Sequence, residues 1–156
     1  MSTKINGEMF ILWRAVDYDG YELEILLQKR RNKKAAIRFL TRLLGNYPAP
    51  RVIVTGKLRS YQKPIHYMCP KTKHCFHKGL NNRAENAHQP TLRKEKILIK
   101  FKSPRGAQKT LSLMGKVRNI FAIDVERYTK NAKEQKAAFA GAKSIWDEAT
   151  TRLLAA

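Results

Sequence analysis

The stretch Phe10 to Val16 is apolar at every position except Arg14. Side chains alternate across a strand, so a near-continuous apolar run presents oil to both faces of a sheet. Such a strand has to be covered by a layer on each side. The residues that follow supply the layers. Asp17-Tyr18-Asp19-Gly20 predicts a reversal, with Asp19-Gly20 as the hairpin signal. Tyr21, Leu23, Ile25 and Leu27 then alternate with Glu22 and Glu24, which predicts a strand with one apolar and one acidic face. A helix is expected next. Asn32 is its N-cap, Gly45 lies just past its end, and Ala36, Leu40, Leu43 and Leu44 form its apolar stripe. Pro48 and Pro50 interrupt the chain before a buried strand from Arg51 to Thr55. Hairpin, helix and strand in that order predict an α/β sheet with a crossover connection.

Ser103-Pro104 is a helix start, and Ala107, Leu111, Met114, Val117 and Phe121 recur after it at helical spacing. Phe139, Ala142, Trp146, Ala149 and Leu153 make a second stripe near the C-terminus. Core packing is the first reading of that stripe, and a short coiled contact in a dimer is the second. A chain of 156 residues is long enough for a real core. Thirty-two Lys and Arg against twelve Asp and Glu give a net charge of +20. That balance opposes compaction and favours a polyanion partner, nucleic acid foremost, because each neutralised phosphate releases counterions. The alternative is a charge that only solubilises. No apolar run approaches the roughly 18–20 residues of a membrane span. Met1 to Glu8 is too polar for a signal peptide. Two cysteines make no disulfide framework, which points to a reducing cytoplasm.

Three clusters carry possible chemistry. Gly79-Leu80-Asn81-Asn82-Arg83-Ala84-Glu85-Asn86 sets one carboxylate among amides and an arginine, with Lys78 before it and His88 after. On a helix, Asn81, Glu85 and His88 share a face. The acid suits a metal ion and the amides and bases suit a phosphate backbone, although a solvated helix would look the same. Cys69, His74, Cys75 and His77, with His66 nearby, are zinc-ligand types, but Cys69 and Cys75 stand further apart than the usual C-x₂₋₄-C. Incidental clustering is the preferred reading. Asp17 and Asp19 are read as turn residues that cap their own backbone.

Several words occur in fixed order: Leu12-Trp13-Arg14-Ala15-Val16-Asp17, Lys29-Arg30-Arg31-Asn32-Lys33-Lys34-Ala35-Ala36, Pro50-Arg51-Val52-Ile53-Val54-Thr55 and Lys57-Leu58-Arg59-Ser60-Tyr61. His77 to Asn86, His88-Gln89-Pro90-Thr91 and Arg105-Gly106-Ala107-Gln108 follow. From about Asn6 to about Phe121 the chain resembles the catalytic domain of a DDE-type bacterial insertion-sequence transposase of the IS-six group. The resemblance implies an α/β, ribonuclease H-like (integrase/transposase catalytic core) fold, truncated at its first strand. Residues 1–122 would be the catalytic domain and 123–156 a C-terminal helical extension. Ile5-Asn6-Gly7 would be the turn leaving a central strand that is largely missing. The sheet would then expose an edge and apolar surface, and solubility would suffer.

Such enzymes hold two Mg²⁺ (or Mn²⁺) ions with two aspartates and a glutamate. Glu85 matches the glutamate and metal ligand. Gly56 stands where the second aspartate belongs, and the first falls upstream of Met1. The resemblance therefore implies an enzyme of DNA transposition, by metal-dependent phosphodiester cleavage and strand transfer, that is inactive here. Lys57, Arg59, Lys78, Asn81, Asn82, Arg83, His88 and Arg93 are the expected backbone phosphate contacts. The implied partners are DNA, as insertion-sequence ends and target, and another copy or an intact transposase in a mixed oligomer. The implied location is the bacterial cytoplasm, at the nucleoid. A non-catalytic DNA-binding regulator or inhibitor, and a decayed remnant with no role, are the alternatives.

Overall fold

The structure, a computed structural model, describes residues 2–56, 59–76, 101–121 and 132–155. It divides into two compact units, Met1–Ser112 and Leu113–Ala156. The first unit opens with strands β1 (Ser2–Ile5), β2 (Glu8–Val16) and β3 (Glu22–Gln28), which form an antiparallel sheet in the order β1-β2-β3. Helix α1 (Lys33–Asn46) leads to β4 (Val52–Thr55). A single 3₁₀ turn (Arg59–Tyr61) and helix α2 (Gln62–Met68) then connect β4 to β5 (Lys73–Phe76). β4 and β5 pair in parallel as a second sheet. Helix α3 runs from Pro104 to Ile120 and α4 from Ala132 to Leu154. Among the described residues no helix is long and apolar enough to cross a membrane.

β2 is covered on both faces, as its composition demands. Trp13 packs with Leu26, Ala35, Ala36 and Phe39 beneath α1. Phe10 and Leu12 face the other way, onto Ala107 and Leu111 of α3, with Ile5 and Ile25 beside them. Ala35 and Ala36 let α1 approach the sheet closely, since neither carries a side chain beyond Cβ. At the start of α1 the Asn32 Oδ1 accepts from the Ala35 N–H at 2.9 Å, the expected N-cap. At the start of α3 the Ser103 Oγ accepts from the Gly106 N–H at 3.1 Å.

Three expectations change. Ile5 is the last residue of a strand rather than part of a turn: β1 pairs with β2 from Ser2↔Ile11 to Ile5↔Glu8. Burial of Ile5 against Phe10 and Ala107 keeps it in the sheet. The reversal is Asn6-Gly7 alone, both at positive φ (50° and 83°), as a two-residue hairpin of the favoured hand requires. Gly45 lies inside α1, which continues to Asn46; the helix is closed by extended Tyr47, whose N–H donates to the Leu43 carbonyl at 3.0 Å, ahead of Pro48. The acidic face of β3 is not left to solvent. Glu22 forms an ion pair with Arg14 (2.9 Å) in which both side chains are almost wholly buried, and Glu24 meets Arg42 of α1 at 3.2 Å. The strand at residues 52–55 is not a buried one either, because Val52 and Val54 are exposed and only Thr55 is buried. Among the described residues β4 hydrogen-bonds to β5 and not to the three-stranded sheet.

Gln108 explains how α3 is held. β3 lies at the edge of its sheet. The Gln108 Oε1 accepts from the Leu27 N–H at 2.7 Å, and its Nε2 donates to the Ile25 carbonyl at 2.9 Å. One side-chain amide thus takes the place of a neighbouring strand. Gln108→Leu keeps the volume near the apolar contacts but orphans both backbone groups. It is expected to destabilise the first unit by about 1–3 kcal/mol, read as a lowered midpoint in urea unfolding.

Candidate functional site

In open α/β sheets, ligands gather beyond the carboxyl ends of parallel strands. β4 and β5 are the parallel pair, and Gly56 directly follows the last residue of β4. The register Thr55↔Phe76 brings the two strands to an end together. The Thr55 Oγ1 lies 2.8 Å from the His74 Nε2, a side-chain bond between the strands one step before Gly56. The loop before β5 is tied back as well. Thr72 Oγ1 donates to the Pro50 carbonyl at 2.6 Å, and the Lys73 N–H donates to the Arg51 carbonyl at 2.9 Å.

The chain beyond Gly56 is positioned by the core. Tyr61 stacks edge-on against Trp13, with ring centroids 5.0 Å apart at 70°. Burial holds its phenol well above the usual range, and the Arg31 guanidinium pulls only weakly the other way. Arg59, in the 3₁₀ turn that Tyr61 anchors, is exposed and open to an anion. Arg59 and Tyr61 are therefore placed by the same short turn. The other expected site residues, Lys57, Lys78, Asn81, Asn82, Arg83, Glu85, His88 and Arg93, lie outside the described residues.

The described donors do not make a divalent-metal site. β1 (Ser-Thr-Lys-Ile) carries no carboxylate, and Gly56 has no side chain. Asp17 is occupied in its turn, where Oδ1 accepts from the Tyr21 N–H at 2.8 Å while the Asp17 N–H donates to the Tyr21 carbonyl. Among the described residues no three His, Cys, Asp or Glu side chains are grouped to hold a metal ion. The cysteine–histidine cluster is spread over two elements. Cys69 is buried at the end of α2, where burial pushes its thiol up against a smaller downward pull from the Thr72 hydroxyl. His74 and Cys75 sit on β5, His66 is on α2, and His77 lies outside the described residues. Sequence reasoning missed β5 and the Thr55–His74 bond; a strand signal was hidden in Lys73-His74-Cys75-Phe76 by its ligand-type side chains.

Burial lowers the His74 pKa from its ordinary value, so the fold prefers the neutral ring. Below about pH 6.5 the unfolded chain takes up a proton that the folded chain resists, and stability falls as pH falls. His74→Gln should remove that part of the acid sensitivity. The check is the difference in melting temperature between pH 7.5 and pH 5.5, which should be smaller in the variant.

The DDE domain family of the IS240 transposase type matches residues 2–123. The chain is 32% identical over 91 residues to the transposase for insertion sequence-like element IS431mec of Staphylococcus aureus, covering 55% of this chain and 41% of that one. The figures are the same for the transposase for insertion sequence element IS257 in transposon Tn4003, also from Staphylococcus aureus. An uncharacterized protein, pYV0051, of Yersinia pseudotuberculosis is 34% identical over 61 residues, covering 37% of this chain and 57% of that one. The chain thus spans about two fifths of the length of the transposases it matches. No solved structure matches it. By a family match that extends over most of its length, the chain belongs to the DDE domain family of insertion-sequence transposases.

Proposed function

We propose that this chain is a ribonuclease H-like transposase catalytic domain that keeps the family's attachment to DNA and has lost its strand-cleaving chemistry. The antiparallel β1-β2-β3 meander, helix α1 packed on it and the parallel β4-α2-β5 unit support the fold. Gly56 carries the functional reading. It occupies the strand end where the family places a carboxylate and offers no oxygen to a metal. Glu85 alone would bind Mg²⁺ or Mn²⁺ weakly, because magnesium is held by several carboxylates or by carboxylate and phosphate together. The net charge of +20 supports a duplex partner bound through its backbone, with Arg59 among the contacts. The place of action is then the bacterial cytoplasm, at the nucleoid.

A second reading, an inhibitor that enters mixed oligomers with an intact transposase, is favoured by the exposure of Ile145, Leu153 and Leu154 on α4. Excess chain added to a complete relative should then lower its strand transfer, and an unchanged yield would reject it.

The main reading is tested with supercoiled plasmid carrying element ends, in Mg²⁺ and in Mn²⁺. No nicking is expected from the chain, since Gly56 offers no oxygen to a metal where the family places a carboxylate. Nicking by the unaltered chain that disappears in Glu85→Ala would show that the chemistry survives. Binding to element-end and random duplex should be equal and fall steeply with salt, by a slope of about −0.9 per phosphate contacted.

A further inference from the structure

We propose that a groove at the exit of β3 is a second contact for the sugar–phosphate backbone of a nucleic acid, distinct from the Gly56 end of β4. The groove has a volume of about 410 Å³. Phe10 and Leu27 line its apolar part, and Lys29, Arg30, Lys34 and Arg38 supply its cations. It belongs to the three-stranded sheet and α1, whereas Gly56 closes a strand of the other sheet.

Charge is the argument for its occupant. Lys29 is the one groove cation with a carboxylate partner among the described residues, the exposed Glu8 at 2.8 Å, and it also lies 5.7 Å from the centre of the Phe10 ring. Arg38 donates to the neutral amide of Gln28 at 3.3 Å, which leaves its charge uncompensated. Arg30 and Lys34 are exposed and have no hydrogen-bond or ion-pair partner among the described residues. Arg31 and Lys33 are exposed beside them and continue the row. Four cations crowded around one open hollow repel one another, and a ligand that brings several negative charges relieves the repulsion. A backbone of repeated phosphates matches a row of cations better than a single small anion, and guanidinium groups grip phosphate oxygens in pairs. The apolar wall suits the sugar faces between phosphates.

This contact rests on the reading that DNA is the partner, and the test separates the two. Fluorescence anisotropy of a labelled random duplex is measured across a salt series. The triple variant Arg30→Gln, Lys34→Gln, Arg38→Gln is compared with Lys133→Gln, Lys136→Gln, Lys143→Gln on α4, which removes the same charge elsewhere. The groove variant should flatten the plot of log affinity against log salt by about 2.7, three contacts at about 0.9 each, and the α4 variant should leave the slope nearly unchanged. Equal flattening by both, or none by the groove variant, overturns the groove while DNA binding stands. Failure of the unaltered chain to bind any duplex overturns the DNA reading and the groove with it. Preferential displacement of the duplex by polyglutamate would assign the groove to an acidic protein instead. A second measurement needs no variant: bound duplex should protect Lys29 and Lys34, but not Lys143, from acetylation. Equal labelling of all three would overturn the proposal.

Discussion

The whole first unit depends on burying both faces of β2. Phe10 and Leu12 point to one side and Trp13 to the other, and each large side chain gains about 1.5–3 kcal/mol only when its own side is covered. One cover, α1, begins within a few residues of the hairpin. The other, α3, arrives from Pro104 onward, after the β4–β5 unit has been built. The sheet cannot be completed from local sequence, so α3 has to be located by something more specific than oil. The Gln108 amide does this by hydrogen-bonding the open edge of β3 at two points, which fixes the helix in register along the strand. Trp13 transmits the same constraint towards the site, since Tyr61 stacks on it and holds the turn that follows Gly56.

The polar contacts between β3 and α1 set alignment more than they add stability. Gln28 donates to the Ala35 carbonyl at 2.9 Å and accepts from Arg38, while Glu24 meets Arg42 one turn further along the helix. The Arg14–Glu22 pair depends on an irregularity, because the register passes from Ala15↔Glu24 to Val16↔Glu22 and leaves Leu23 without an opposite residue. That extra residue brings Glu22 to Arg14. A buried ion pair returns little net free energy once desolvation is counted, but breaking it leaves an unpaired charge in a dry place. The outcome is a strong preference for one register over its neighbours.

Features encoded within a few residues were legible in the sequence. The Asn32 cap, the Asp17–Gly20 reversal, the two-sided burial of β2 and the start of α3 at Ser103-Pro104 all follow from short patterns. Features that depend on distant partners were not. β1 offers only Thr3 and Ile5 as buried alternating positions, too few to read as a strand before β2 pairs with them. Glu22 and Glu24 read only as an acidic face, because Arg14 and Arg42 approach them only after folding. The Thr55–His74 bond needs a parallel register that no local signal announces. At the site the limit is sharper still. A glycine after a strand carries no chemical message, and Gly56 acquires meaning only through the family to which the chain belongs.

The words that make the chain recognisable are chiefly the words that hold it together. Trp13 is core, Arg14 forms the buried ion pair, Asn32 caps α1, Ala35 and Ala36 permit its close approach, Tyr61 anchors the turn after β4, and Gln108 clamps α3. Each would be required by the fold whether or not a phosphodiester is ever cut. Gly56 is different: burial and hydrogen bonding place no demand for an acid at the end of β4. Likeness to transposases therefore argues strongly for the architecture and only weakly for the reaction. The basic groove beside Lys34 stands on the other side of that divide. The fold gains nothing from crowding uncompensated cations around a hollow, and their mutual repulsion works against compaction. A ligand of opposite charge gives them a physical reason to be there.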